Sequence, residues 1–357
     1  MNKAFRFTVI AIVTLTWSLV AGPASAQESI TVASYGGAYM DMQRKGLFEP
    51  FTKATGIKVV EVAGVSVAKV KSMVMTKNVE WDVFISSAAD YAQLIADNLI
   101  DDIDYSKIDK SVLDQLVKGS VQPKVIGAQR TAQVIAWNTK AFPGANHPNS
   151  WADVWDTKKF PGPRILPAGN YAINPIEPAL LSTGEGRDKV YPLNLDKAYA
   201  QLTKIRPSVI RWTNTPSGVP QALVDGEAVV GYANSTRIQE LKDSGAPVDY
   251  TWNEGIIYTT YWALPKGSKN RAGALKFLDF VSRPEQQAAM AKFNISPVNQ
   301  KAFDLLTPAE RKNLPSAPEN FSKLLELQPA AWMVPGTSAK TLYEDNIARW
   351  ISWSTRK

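Results

Sequence analysis

The sequence predicts an α/β protein made of two similar lobes. Two observations carry this reading. Strand and helix patterns alternate from Ser29 onward, and the alternation breaks at a Pro/Gly/Asn-rich loop, "AFPGANHPNS" (141–150), before it resumes. A length of 357 residues fits two domains and a large core without disulfide staples.

In the first series, Ser29 to Ala33 reads as a buried strand running into Tyr35-Gly36-Gly37. Ala38 to Thr55 is helical, kinked or divided by Pro50 and stopped at Thr55-Gly56. Lys58 to Val62 and Trp81 to Ile85 are strands. The second of these opens at Ser86-Ser87 into an amphipathic stretch with Tyr91, Leu94 and Ile95 at helical spacing. Thr131 to Asn138 is a further strand.

Beyond the loop, Ser150 and Asp153 make a capping pattern for a short helix, "WADVWD". Strands follow at "PRILP", Val209 to Trp212 and Ala228 to Tyr232, with helices over Leu193 to Ile205, Pro216 to Val224 and Thr236 to Ser244. A long strand spans Ile256 to Leu264. The next helix buries Ala274, Leu275, Leu278 and Val281 and ends at Pro284. A last amphipathic helix covers Lys340 to Ser354, with Leu342, Ile347 and Trp350 on one face. In open α/β sheets a ligand sits beyond the carboxyl ends of the strands. That selects Ser34–Ala38, Ser86–Ala88, the turn after Leu166, Trp212–Ser217, Asn234-Ser235 and the strand near Tyr258.

The N-terminus sets the expected compartment. Lys3 and Arg6 precede an apolar run from Phe7 to Val20, and Ala24-Ser25-Ala26 supplies the small residues of a cleavage site. This predicts a signal peptide over residues 1–26 and export to a periplasm. A membrane anchor is the weaker reading, because the run is short and a cleavage site follows it. With no cysteine there is no lipid attachment, disulfide or thiolate. The net charge of +7 comes from dispersed residues, without the basic stripe that nucleic acid requires.

Catalytic groups are scarce. His147 is the only histidine and lies in the boundary loop, so neither a Ser-His-Asp triad nor a zinc site is offered. No G-x-S-x-G, P-loop or dinucleotide turn is present, and we expect no cofactor and no metal. Asp225 and Glu227 read better as a solvated turn than as a catalytic pair. Binding groups are plentiful. Gly36 and Gly37 at a helix start present backbone N–H groups, and Ser86 and Ser87 end a strand at the same edge. Tyr35, Tyr39, Trp212, Tyr258 and Trp262 offer apolar walls with polar rims, although each taken alone is better explained by core packing.

These segments, taken in order, resemble the periplasmic substrate-binding proteins of ABC importers, in the branch of the spermidine/putrescine-binding proteins. The likeness runs through "FEPFTKATGIKVV", "WDVFISSAADYAQLIADNLIDDIDYSKI", "VIAWNTKAF", "SWADVWDTKKFPGPRIL", "ALVDGEAVVGYANSTR" and "ISPVN"; "YWALPKGSKNRAGALKFLDFVSRPEQQA" is its most specific piece. It implies a two-lobed, type II-like periplasmic binding fold with discontinuous lobes, 27–138 with 259–299 and 139–258 with 300–357. Hinge strands would lie near Asn138 and Gly255 to Tyr258. It further implies a monomer that captures a solute, chemically unaltered, and passes it to a membrane permease.

The departures from that branch narrow the solute. Thr260 stands where polyamine binders carry an aspartate, Asn234 where they carry a tryptophan and Asn294 where they carry a tyrosine, and Asn170 sits in a loop without an acid. A dication needs paired charges to offset its desolvation. We therefore expect a carboxylate-bearing polar solute: an amino acid, a γ-aminobutyrate-like compound or an opine-like conjugate. Arg211 would clamp the acid, unless it lies on the lobe surface. Tyr35 and Trp212 would sandwich the carbon chain, and Ser86, Asn170, Asn234 and Thr260 would give neutral hydrogen bonds. A polyamine is the alternative solute, and a periplasmic hydrolase on the same scaffold is the alternative class.

Overall fold

A computed structural model describes residues 27–170, 173–214, 218–337 and 341–356. The strands are β1 (Ser29–Ser34), β2 (Lys58–Ala63), β3 (Val83–Ser86), β4 (Val121–Gln122), β5 (Val125–Asn138), β6 (Arg164–Pro167), β7 (Val209–Thr213), β8 (Val230–Asn234), β9 (Val248–Ala263) and β10 (Leu325–Glu326). They form one connected sheet in the order β2-β1-β3-β9-β5-β8-β6-β7, with β4 added to β5 and β10 to β9.

Strand directions place the functional region. β1, β2 and β3 are mutually parallel, and so are β6, β7 and β8. β9 is antiparallel to β3, and β5 is antiparallel to both β9 and β8. β5 therefore leaves the first trio in the direction its strands point and meets the second trio head-on. The carboxyl ends of the two trios face each other across the middle of β5 and β9, the position where open α/β sheets bind ligands.

Each half has apolar packing on both faces of its strands. Ile30, Val32, Phe48, Phe51, Trp262 and Phe277 pack on one side of the first half, and Val70, Trp81, Phe84 and Leu94 on the other. In the second half Trp151, Leu166, Leu202, Trp350 and Trp353 fill one side, and Ile165, Val219, Leu223 and Ile238 the other. Only a small cluster of Ala132, Val134, Ile257 and Leu324 lies between.

Most predicted elements are present, with three informative shifts. The helix expected over 38–55 consists of Gly37–Gln43, a wide π-helical turn at Arg44–Phe48, and Glu49–Thr55, closed by Gly56 at φ 75°. Pro50 causes no break, since it sits in a first turn where its missing N–H is not needed. The wide turn comes earlier, where Gly46 meets Met290 so closely that a Cβ would lie 2.6 Å from the sulfur. β5 begins at Val125 and β9 at Val248, both well before the expected starts. Val125–Ile126 turns back on β4, and Val248–Glu254 is a mostly half-buried stretch in which Val248, Tyr250 and Trp252 alternate with polar residues, a strand signal that the sequence reading passed over. Asn138, expected near a hinge, is the last residue of β5 and lies within the second half, bonding Leu223 O at 2.7 Å.

Candidate functional site

The crossing segments of β5 and β9 carry a chain of polar side chains from one half to the other. Tyr39, on the first helix, donates to Gln129 Oε1 on β5 at 2.6 Å, and Gln43 Nε2 donates to Tyr39 at 3.3 Å. Gln133 Nε2 donates to the Tyr258 hydroxyl at 3.2 Å. Beyond Tyr258, a small cavity is lined by Ile173, Asn174, Glu177, Tyr232, Ile256, Leu327 and Trp332. Glu177 opens the helix Ile176–Leu181, every residue of which is buried. Its Oε1 accepts from Trp332 Nε1 at 2.9 Å and from the Tyr191 hydroxyl at 3.4 Å.

The electrostatics follow from burial. Desolvation pushes Glu177 up to about 7, and the Trp332 N–H and Tyr191 hydroxyl offset it only in part. Burial also raises the Tyr39 phenol, reinforced by Tyr258 and opposed by Gln129. The Tyr232 phenol is raised well above its usual range by burial, then by Glu177, Tyr258 and Tyr191. Tyr39, Tyr258, Tyr232 and Glu177 thus act on one another in series across the junction. Tyr232 OH, Thr260 Oγ1, Ser34 Oγ and Gln43 Oε1 are buried without a hydrogen-bond partner among the described residues. The orphaned Tyr232 hydroxyl lines the cavity and fits a polar guest, because folded proteins otherwise satisfy such groups. No cluster of three metal-ligating side chains and no helix fit to span a membrane occurs among the described residues.

The model of the bacterial extracellular solute-binding proteins matches residues 46–319. The chain belongs to that family. It is 30% identical to a gamma-aminobutyric acid-binding protein of Pseudomonas aeruginosa over 94% of each chain. Similarity to a spermidine/putrescine-binding periplasmic protein of Salmonella typhimurium is lower, 26% over 92% of this chain and 94% of that one. The structure of the PBP AgtB from A. tumefaciens R10 in complex with agropinic acid superposes with a TM-score of 0.78 at 31% identity, covering 93% of this chain and all of that one. The architecture is the two-lobed periplasmic binding fold.

Within this solute-binding protein, the predicted site residues separate into three groups. Tyr39, Tyr258 and Thr260 come together at the junction. Tyr35 stands at its edge, 45% exposed, with its ring 5.5 Å from that of Tyr39. Gly36 (φ 83°) and Gly37 (φ 57°) make the turn into the first helix; a Cβ on Gly36 would sit 2.9 Å from that of Ala63. A second group works locally. Ser86 is buried and donates to Ser87 O at 3.1 Å, and Ser87 caps the helix Ala88–Ala96 by accepting from Asp90 N. Asn234 caps Ser235–Asp243 and donates to Thr131 Oγ1 on β5 at 3.0 Å. Asn170 is exposed in the loop after β6; residues 171–172, like 1–26 and 215–217, lie outside the described set.

The third group requires correction. Arg211 was expected to clamp a carboxylate, but its guanidinium pairs with Glu227 at 3.3 Å and both side chains are half exposed. Glu227 precedes β8, so the pair lies toward the amino ends of these strands and away from the facing carboxyl ends. Trp212 was expected to sandwich the solute. It packs edge-on against Trp350 and Trp353, at 5.2 and 5.4 Å, inside the second-lobe core. His147 lies in the boundary loop, half-buried, with its ring stacked on Trp137 at 3.9 Å.

Sequence reasoning missed Glu177, Tyr232 and Trp332. Glu177 left one usable signal, a single acid in the otherwise apolar run "INPIEPALL". An isolated charge in such a run is either an interruption of a buried face or a buried functional group. Trp332 left none, because its segment reaches the cavity from the far end of the chain.

Proposed function

We propose that this protein is the periplasmic solute-binding component of an ABC importer. In this reading it captures a small solute bearing both an amine and a carboxylate, γ-aminobutyrate-like or opine-like, and passes it chemically unaltered to a membrane permease. The observation that carries the reading is the junction cavity, where one buried carboxylate, Glu177, is ringed by Tyr232, Tyr258 and Trp332. One acid suits a single ammonium, whereas a polyamine needs a second negative charge to offset its desolvation. The carboxylate end would lie against first-lobe donors, namely the hydroxyls of Tyr35 and Thr260 and the amides at Gly36-Gly37.

The boundary between lobes falls earlier in β5 than Asn138, between Gln129 and Gln133, opposite Ile257 to Thr260 of β9. A solute that touches both sides binds the closed arrangement better than the open one and so shifts the population toward closure. The 30% identity to a gamma-aminobutyric acid-binding protein supports the solute class. Calorimetry on the mature protein with γ-aminobutyrate, an opine and putrescine tests it. Binding of either amino acid with little putrescine binding is expected, and tight binding of putrescine alone would contradict it. Turnover of an ester, amide or phosphate panel, lost with a junction variant, would favour a hydrolase instead.

A further inference from the structure

Glu177 is a carboxylate without a cation. Its two side-chain partners, Trp332 Nε1 and the Tyr191 hydroxyl, are both neutral donors, and no lysine, arginine or histidine among the described residues pairs with it. β8 presents Tyr232 and β9 presents Tyr258, both phenols. On the neighbouring helix Leu195–Ile205, Asp196 is turned to Arg349, Lys197 to Glu185 and Tyr199 to Asn346, while Lys204 is exposed. On Trp151–Trp155, Asp153 is held by Lys159. From the C-terminal arm, Trp332 carries Tyr343 behind it, with rings 6.1 Å apart, and Asp90 of the first lobe acts on that tyrosine. Everything that reaches Glu177 is neutral or acidic. Beside it the Tyr232 hydroxyl, 2% exposed as a residue, has no hydrogen-bond partner among the described residues.

We propose that Glu177 selects solutes carrying a cationic nitrogen, and that it accepts that nitrogen by releasing its own carboxyl proton to solvent, one proton for each solute captured. This rests on the functional reading above and adds a residue and a proton count to it. The step balances simply: the carboxylic acid loses H⁺ to water, the ammonium keeps all its protons, and the two form an ion pair with no change of covalent bonds in the solute. The geometry suits the exchange. A lone carboxyl in a dry cavity is stable when protonated, and a cation arriving in the same cavity makes the ionised form the stable one. Tyr232 then turns its hydroxyl to whichever partner is present. The burial-driven elevation of Glu177 supports the same order of events.

The test is calorimetry of the mature protein with γ-aminobutyrate, and with butyrate as the analogue lacking the nitrogen, in two buffers of different ionisation enthalpy between pH 5 and 8. We expect close to one proton released per γ-aminobutyrate at the acid end, with affinity falling about tenfold per pH unit there. Butyrate should bind far more weakly and release none. Glu177→Gln should abolish the proton release, flatten the pH dependence and weaken γ-aminobutyrate at least tenfold, while far-ultraviolet dichroism stays unchanged. γ-Aminobutyrate binding without proton release, or with equal affinity in Glu177→Gln, overturns this inference and leaves the functional reading standing. Failure of the wild type to bind any amine-bearing solute, opines included, overturns both.

Discussion

Glu177 shows how a single residue can oppose the stability of the lobe that holds it. Its carboxyl titrates near 7 in the folded chain and near 4.5 when unfolded. Below pH 4.5 both states are protonated and burial costs little. Between 4.5 and 7 the folded state holds the extra proton, so stability falls as pH rises, and above 7 the loss is complete at about 3 kcal/mol. Glu177→Gln, neutral at every pH, should match wild type at pH 4 and exceed it at pH 8 in ligand-free urea unfolding. Equal stability of the two proteins at pH 8 would show that Glu177 is not buried uncompensated. At the same scale, Asn234 combines a helix cap with a bond to Thr131 across β5. Asn234→Ala should cost about 1 kcal/mol as a lost cap, and more if the bridge to β5 contributes.

At the scale of elements, β10 is small but strategically placed. It lies parallel on β9 at Ile256 and Ile257, where the strands pass between lobes. Its Glu326 receives the guanidinium of Arg130, a side chain 5% exposed on the crossing stretch of β5, whose other neighbour is the Phe321 ring at 4.9 Å. Arg130 Nε is buried without a partner among the described residues. Glu326→Ala removes that cation's carboxylate partner and should cost about 1.5–3 kcal/mol in urea unfolding, while Glu326→Gln should recover part of it. No measurable loss in the alanine variant would mean that water already supports Arg130.

The elements also show what the sequence revealed and what it hid. Strands with continuous apolar runs, such as "SITVA" and "WDVFI", and helices with caps and glycine stops were legible because their signals are local. The long crossing strands were half legible. The run from Ile256 onward was read, crossing stretch included, whereas Val248–Glu254 at the second-lobe end and the part of β5 before Thr131 were not. Of the residues at the candidate site, the sequence singled out Tyr39, on the helix that follows β1, and Tyr258, part-way along β9. Arg211 misled because alternation in an edge strand assigns a face but not an end, and the guanidinium reached back to Glu227. Trp332 joins Glu177 across a sequence distance that no local pattern encodes.

For the molecule as a whole, the two apolar cores meet through the small cluster of Ala132, Val134, Ile257 and Leu324, and the side-chain bonds around it are polar: Tyr39 to Gln129, Gln133 to Tyr258, Asn234 to Thr131, Arg130 to Glu326. A junction built this way bends at little apolar cost, as lobes that open and shut around a guest require. Small-angle X-ray scattering of the mature protein with and without γ-aminobutyrate or an opine tests this most directly. A smaller radius of gyration in the presence of solute, lost in Glu177→Gln at the same solute concentration, is the predicted result. An unchanged scattering profile at concentrations where calorimetry shows the site saturated would contradict it.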